Sequence, residues 1–157
     1  MVAACILAPE GTRLTPGDKA RFRDLDPWGF ILFARNVETP PQLAALTAGL
    51  REAVGRDCPV LVDQEGGRVQ RLRAPHWREW LPPLDEVAQA GDAAGRVMHL
   101  RAALIAAELR AVGIDVNCAP CCDVASAQTH EFLRNRCLGE SPDLVTRIAR
   151  ETAQGLM

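Results

Sequence analysis

The chain has 157 residues, of which 48% are hydrophobic and 24% charged, so it can build a core beneath a polar surface. This composition excludes an intrinsically disordered chain. The formal net charge of -2 gives no general basic field, which argues against nucleic-acid binding and against electrostatic attachment to a membrane. No apolar run approaches the roughly 20 residues of a membrane span, and no basic leader precedes the first one. We therefore expect a cytoplasmic protein.

Three short apolar runs, over residues 2–7, 28–33 and 59–62, predict strands, and residues 114–120 are a fourth strand candidate. Continuous apolar runs of this length are typical of strands that are buried on both faces. The third run is followed directly by polar residues and glycines, so residues 63–68 are predicted to form a loop at the end of that strand.

Helices are predicted between these runs and after the last one. Thr15, Thr39 and Ser141 can each cap a helix whose first residue is proline. Asp18 supplies an acid in the first turn of the first helix, and Gln42 has the position of a capping-box glutamine in the second.

The longest helical stretch is predicted over residues 84–112, after an irregular loop over residues 75–83 that is rich in proline and tryptophan. From residue 97 onward this stretch carries apolar residues on two faces. We therefore expect it to be covered on more than one side.

The strand–helix unit occurs four times, which predicts an α/β fold with parallel strands joined by right-handed crossovers. Two architectures are compatible with this pattern. One is an open doubly wound sheet, which is complete at this length. The other is half of an eightfold barrel, whose full form needs about 250 residues.

Both architectures bind ligands at the carboxyl ends of parallel strands, so the polar residues that follow each run are the site candidates. They are Arg35 and Asn36, the segment 63–71, Asp123 and Arg136. An aspartate at a strand end can accept from two neighbouring hydroxyls, and an arginine can donate to the same groups. The pattern therefore fits sugar recognition. The alternative is that Asp63, Arg68 and Arg71 form buried ion pairs that fix the loop.

The two glycines of this segment, Gly66 and Gly67, lack the spacing of a dinucleotide-binding loop. We expect them to let the backbone approach a ligand closely. A pair of catalytic carboxylates formed by Asp63 and Glu65 is disfavoured, because residues two positions apart at a strand end need not converge.

A group of cysteines and one histidine resembles a set of metal ligands. Its members are Cys118, Cys121, Cys122, His130 and Cys137. A tetrahedral site would require a sharp local bend, because Cys121 points away from the side that Cys118 and Cys122 share on an extended strand. Reduced, buried cysteines are therefore favoured over a metal site, and no metal or other cofactor is expected.

Three segments together carry a resemblance to a known family. They are residues 29–36 (GFILFARN), 62–71 (VDQEGGRVQR) and 113–124 (GIDVNCAPCCDV). In this order they are similar to glycoside hydrolase family 3, and the segment 62–71 is specific to its bacterial β-N-acetylhexosaminidases of peptidoglycan recycling.

The resemblance implies a (β/α)8 TIM barrel, of which residues 1–157 would form one partial domain, the N-terminal half with about four βα units. It implies a glycosidase that releases terminal N-acetylglucosamine from muropeptides by a retaining, two-step mechanism. The family's nucleophilic aspartate and its histidine acid/base have no counterpart in these residues. We therefore expect a fragment without catalytic residues that is inactive alone.

The resemblance also implies substrate-binding residues. Asp63 matches a carboxylate that accepts from sugar hydroxyls, and Arg71 and Arg136 match arginines that hold the same ring of an N-acetylglucosamine-containing muropeptide or amino sugar. The family has a glycine and an acid where this chain has Arg134 and Asn135. We therefore expect strain at Arg134 and the loss of a partner that would orient Arg136.

Three hypotheses follow. The first is the N-terminal half of a β-N-acetylhexosaminidase, and the second is a non-catalytic sugar-binding half barrel, or a half that pairs with a separate C-terminal chain. The third is a small metal-binding α/β protein. In a half barrel, residues 2–7 would lie at one sheet edge and residues 114–118 near the other, so self-association through open edges is expected.

Overall fold

The computed structural model describes residues 1–157, which divide into two compact units. The first unit comprises residues 1–63 and 108–117, and the second comprises residues 64–107 and 118–157. The elements are β1 (Ala3–Leu7), α1 (Pro16–Leu25), β2 (Pro27–Leu32), α2 (Pro40–Val54), β3 (Val60–Val62), β4 (Gln64–Gly66), β5 (Val69–Gln70), α3 (Pro83–Ala90), α4 (Ala94–Ala111), β6 (Val116–Asn117), α5 (Glu131–Arg134) and α6 (Pro142–Leu156). None of the helices has the length and apolarity that a membrane crossing requires.

The first unit contains a four-stranded sheet in the order β1-β2-β3-β6, and all three strand pairs are parallel. Within this sheet, the strands thus lie side by side in the order in which they occur along the chain. A doubly wound sheet instead reverses its strand order at a switch point, whereas a (β/α)8 barrel does not. The sequential order confirms the prediction of the first half of a barrel.

The two edge strands differ from their predicted form. β1 pairs only with β2, and Cys5 and Ile6 are exposed, with Ile6 retaining 44% of its accessible surface. The prediction that this run is buried on both faces is therefore wrong, because an apolar run does not distinguish an edge strand from a central one. β6 forms the other edge, as predicted, but it has two residues instead of the seven expected over 114–120.

Capping residues fix the starts of the helices. In α1 the Thr15 hydroxyl accepts from Asp18 N (3.1 Å), and the Asp18 carboxylate accepts from Thr15 N (3.0 Å). Hydrogen bonds from Thr15 hold the pKa of the Asp18 carboxyl below its usual value. In α2, Thr39 caps as predicted, but Gln42 Oε1 accepts from Glu38 N instead of Thr39 N. The predicted capping-box bond is thus displaced by one residue.

The second unit has its own apolar core, which consists of Val87, Ala94, Met98, Leu138, Val145 and Ile148. The Ser141 hydroxyl caps α6, as predicted, by accepting from Leu144 N. On α4 only one of the two apolar faces is well covered: Met98 is 2% exposed, whereas Leu100 and Leu104 are 47% and 43% exposed. The prediction that this helix is covered on more than one side is therefore wrong.

Where the sequence predicted a loop over residues 63–68, the chain forms an antiparallel hairpin of β4 and β5. Two fully buried glutamines hold it. Gln64 Oε1 accepts from Arg71 N and Leu72 N, both at 3.0 Å. Gln70 Nε2 donates to Leu72 O (2.8 Å) and Arg78 O (2.6 Å). These bonds order residues 71–82, which contain no helix or strand, in agreement with the predicted irregular loop.

Candidate functional site

Asp63 is the residue that directly follows β3, and it is half-buried. All three residues of β3 are buried, so the backbone that carries Asp63 is fixed by the core of the first unit. Asp63 therefore stands at the carboxyl end of a parallel strand, where barrel proteins place their ligand-binding side chains.

A paired ionic contact joins Arg136 to Glu65 within the second unit. Arg136 Nε donates to Glu65 Oε2 (2.8 Å) and Nη2 donates to Oε1 (2.6 Å). The side chain of Glu65 is 4% exposed and that of Arg136 is 30% exposed. Paired bonds between a guanidinium and a carboxylate fix the plane of both groups. This contact could not be predicted from the sequence, because the two residues are 71 positions apart.

Arg101 supports the same hairpin from α4. Its Nη2 donates to the backbone oxygens of Glu65 (2.5 Å) and Leu81 (2.9 Å), and its Nη1 pairs with the Glu86 carboxylate. Burial lowers the pKa of Arg101, and the charge of Glu86 opposes that shift. Sequence analysis did not identify Arg101, although one signal was available: a charged residue lies on the buried face of a helix, three residues after Met98.

The two glycines of the hairpin serve packing within the protein. Gly66 and Gly67 have φ values of 110° and 59°, which favour glycine. A Cβ atom on Gly66 would overlap with the Arg101 guanidinium and lie 2.5 Å from Leu81 O, and one on Gly67 would lie 2.8 Å from the Pro82 ring. The expectation that these glycines make room for a ligand is therefore wrong, because protein atoms occupy that space.

The two arginines of the segment 63–71 differ in environment. Arg71 directly follows β5 and is half-buried. Arg68 is exposed, and its guanidinium carbon lies 3.4 Å from the centre of the Phe132 ring. The alternative of a buried ion pair is therefore wrong for Arg68. Of the predicted site residues, Arg71 and Arg136 belong to the second unit and Asp63 to the first.

The departures from the family pattern before Arg136 are accommodated without the expected strain. Arg134 is the last residue of α5 and is not among the residues with positive φ. Its side chain donates to Ser126 O (2.6 Å) and pairs with Glu140, so it ties its own loop together. Asn135 ends the helix with φ -76°. The prediction of backbone strain at Arg134 is therefore wrong.

The cysteines lie in different environments. Cys137 is buried, as expected, whereas Cys118 and Cys122 are exposed, so the expectation of burial is wrong for these two. Burial raises the pKa of the Cys121 and Cys137 thiols. No three His, Cys, Asp or Glu side chains converge on a position that could hold a metal ion.

Comparison with known proteins assigns the family. Residues 23–157 match the Glycosyl hydrolase family 3 N terminal domain. The chain therefore belongs to glycosyl hydrolase family 3, as the resemblance of its three segments predicted.

Individual relatives agree with this assignment. The chain is 37% identical over 155 residues to a beta-hexosaminidase of Nitrosospira multiformis, and the match covers 96% of the chain and 44% of the relative. The structure of NagZ from Neisseria gonorrhoeae in complex with N-trifluoroacetyl-D-glucosamine superposes with a TM-score of 0.88 at 30% identity, covering 99% of the chain and 47% of NagZ. A family 3 beta-N-acetylglucosaminidase from Paenibacillus sp. superposes with a TM-score of 0.86 at 27% identity, covering 97% and 29%. The chain thus spans less than half the length of these relatives.

Proposed function

We propose that this chain is the N-terminal, sugar-binding half of a β-N-acetylhexosaminidase. The observation that carries the proposal is the 37% identity to a beta-hexosaminidase over 96% of the chain. The substrate is a peptidoglycan-derived muropeptide, and the product is its terminal N-acetylglucosamine. The reaction belongs to cytoplasmic peptidoglycan recycling. The nucleophile and the acid/base of the retaining mechanism come from outside these residues.

Three side chains bind the sugar in this proposal. Asp63 is the proposed acceptor for two neighbouring sugar hydroxyls, and Arg71 and Arg136 are the proposed donors to polar groups of the sugar. The position of Asp63 immediately after the buried strand β3 supports this role, because a rigid strand end holds a carboxylate in one orientation.

A chimera tests the proposal, with this chain replacing the segment of the Nitrosospira multiformis enzyme to which it aligns. We expect the chimera to hydrolyse an aryl β-N-acetylglucosaminide. The 157-residue chain alone is expected to hydrolyse none, because a nucleophile and an acid/base together supply many orders of magnitude in rate. A folded but inactive chimera would contradict the proposal. So would activity of the chain alone that survives repurification and is lost in Asp63→Ala.

In that chimera, Asp63→Ala is expected to lower kcat/KM. The loss should correspond to about 2–4 kcal/mol of transition-state stabilisation, the range for losing charged hydrogen bonds to a sugar. The melting temperature should change little. Asp24→Ala is the matched control, because Asp24 is an exposed aspartate of α1, and it should leave kcat/KM unchanged. If Asp63→Ala instead unfolds the chimera while the remaining enzyme keeps normal kinetics, Asp63 is structural.

A second candidate function is a half barrel that associates, either with another copy or with a separate C-terminal chain. The exposure of Ile6 on the edge strand β1 favours it. An unprotected apolar edge pairs readily with another strand. We expect the chain to form dimers or larger species, measured by light scattering behind size exclusion.

Two substitutions sharpen this prediction. Ile6→Lys places a charge on the edge strand and is expected to shift the chain toward monomer. Leu25→Lys is the matched control, because Leu25 is similarly exposed (49%) but lies on α1. A monodisperse monomer of the unsubstituted chain that melts cooperatively at micromolar concentration would contradict association.

A further inference from the structure

The contact between Glu65 and Arg136 has the geometry of an orienting pair. Both carboxylate oxygens of Glu65 accept from Arg136, through Nε and Nη2. Because two parallel bonds are made, the guanidinium can neither rotate about its axis nor tilt without breaking one of them. The carboxylate is almost fully buried and the arginine is 30% exposed, so the anchored edge lies inside the protein.

Glu65 is itself held on a rigid element. It lies in β4, and its backbone oxygen accepts from the buried guanidinium of Arg101. Arg101 is fixed in turn by Leu81 O and by the Glu86 carboxylate. The position of the Glu65 carboxylate is therefore set by the hairpin and by α4 together. A supporting group held in this way transmits its position to the side chain it contacts.

The residue immediately before Arg136 supplies no carboxylate, because position 135 is an asparagine. The Asn135 backbone oxygen accepts from Leu84 N (3.2 Å). The Glu65 carboxylate instead holds Arg136 through paired bonds.

We propose that Glu65 is a positioning residue that fixes Arg136 for sugar binding. This inference rests on the proposed function, in which Arg136 donates to the sugar.

The test is a titration of the 157-residue chain with N-acetylglucosamine, in which ligand-observed NMR measures binding. The temperature is chosen so that circular dichroism shows every variant to be folded. The variants are Glu65→Gln, Arg136→Met, the double variant and Glu140→Gln. The last is the matched control, because it removes the carboxylate that pairs with Arg134 in the same loop. The Nε–H resonance of Arg136 is recorded in parallel.

We expect Glu65→Gln and Arg136→Met each to weaken binding about tenfold, the effect of losing a charged hydrogen bond. The double variant should bind as Arg136→Met does, because Glu65 acts only through Arg136. Glu140→Gln should bind as the unsubstituted chain does. The Arg136 Nε–H should exchange slowly with water in the unsubstituted chain and in Glu140→Gln, and rapidly in Glu65→Gln.

Arg136→Lys provides a second test that does not change Glu65. Lysine keeps the charge but cannot make the paired bonds, so we expect it to bind the sugar as weakly as Arg136→Met. Binding at the strength of the unsubstituted chain would show that charge alone suffices and would overturn the positioning role.

The outcomes separate this inference from the proposed function. Unchanged binding in Glu65→Gln beside weakened binding in Arg136→Met overturns the role of Glu65 alone. The role of Glu65 is also overturned if the affinity of the double variant falls by the product of the two factors measured for the single variants. Unchanged binding in Arg136→Met, or no binding by the unsubstituted chain, contradicts the sugar-binding role of Arg136 itself.

Discussion

Gly66→Ala is expected to lower the free energy of unfolding by more than about 3 kcal/mol. At φ 110° an alanine is strained, and its Cβ would lie 2.5 Å from the backbone oxygen of Leu81. The new methyl group would also displace the Arg101 guanidinium, whose bonds to Glu65 O and Leu81 O would be lost. Urea denaturation of both proteins, followed by circular dichroism, measures the difference.

Gly55→Ala is the matched control for this substitution. Gly55 also has positive φ, at 67°, but nothing lies within 4 Å of the position its Cβ would take. Gly55→Ala should therefore lower the free energy of unfolding only by the left-handed backbone strain of alanine, about 1–2 kcal/mol. Equal losses in the two variants would show that crowding at Gly66 contributes nothing.

Arg101→Met is expected to cost about 3–5 kcal/mol of stability, because it leaves a carboxylate and two backbone oxygens without their buried partner. The side chain of Arg101 is 3% exposed and that of Glu86 is 19% exposed, so water replaces little of the lost interaction. Chemical denaturation measures this loss as well.

Two further variants control this result. Arg96→Met changes an exposed arginine of the same helix and should alter stability by no more than about 0.5 kcal/mol. Arg101→Met combined with Glu86→Gln should be more stable than Arg101→Met alone, because no charged carboxylate is left unpaired. If Arg101→Met is as stable as Arg96→Met, the buried pair does not stabilise the hairpin.

The sequence predicted the elements whose causes are local. Thr15, Thr39 and Ser141 all cap helices, because a cap depends on a few neighbouring residues and a proline. The strands β2 and β3 were placed correctly because a buried strand is a continuous apolar run. The apolar run of β1 alone wrongly predicted burial on both faces, whereas the half-barrel architecture correctly predicted that this strand lies at a sheet edge.

The candidate site was predictable only in part. The position of Asp63 follows from the end of an apolar run, which is a local signal. The contact between Glu65 and Arg136 depends instead on tertiary structure that brings together residues 71 positions apart. The hairpin of β4 and β5 was missed because strands of two or three residues beside two glycines have the pattern of a loop.

The two buried glutamines have a consequence for how this region tolerates sequence change. Side-chain amides of Gln64 and Gln70 bond backbone groups of residues 71–80, a stretch with no backbone ladder of its own. A helix or strand shares its order among many equivalent bonds, so no single residue is indispensable. In residues 71–80, by contrast, the side chains of Gln64 and Gln70 supply the bonds that hold the backbone. The partners in these bonds are backbone groups, which every residue of the stretch would offer except a proline in place of a donor, so the bonds depend on the identity of the two glutamines.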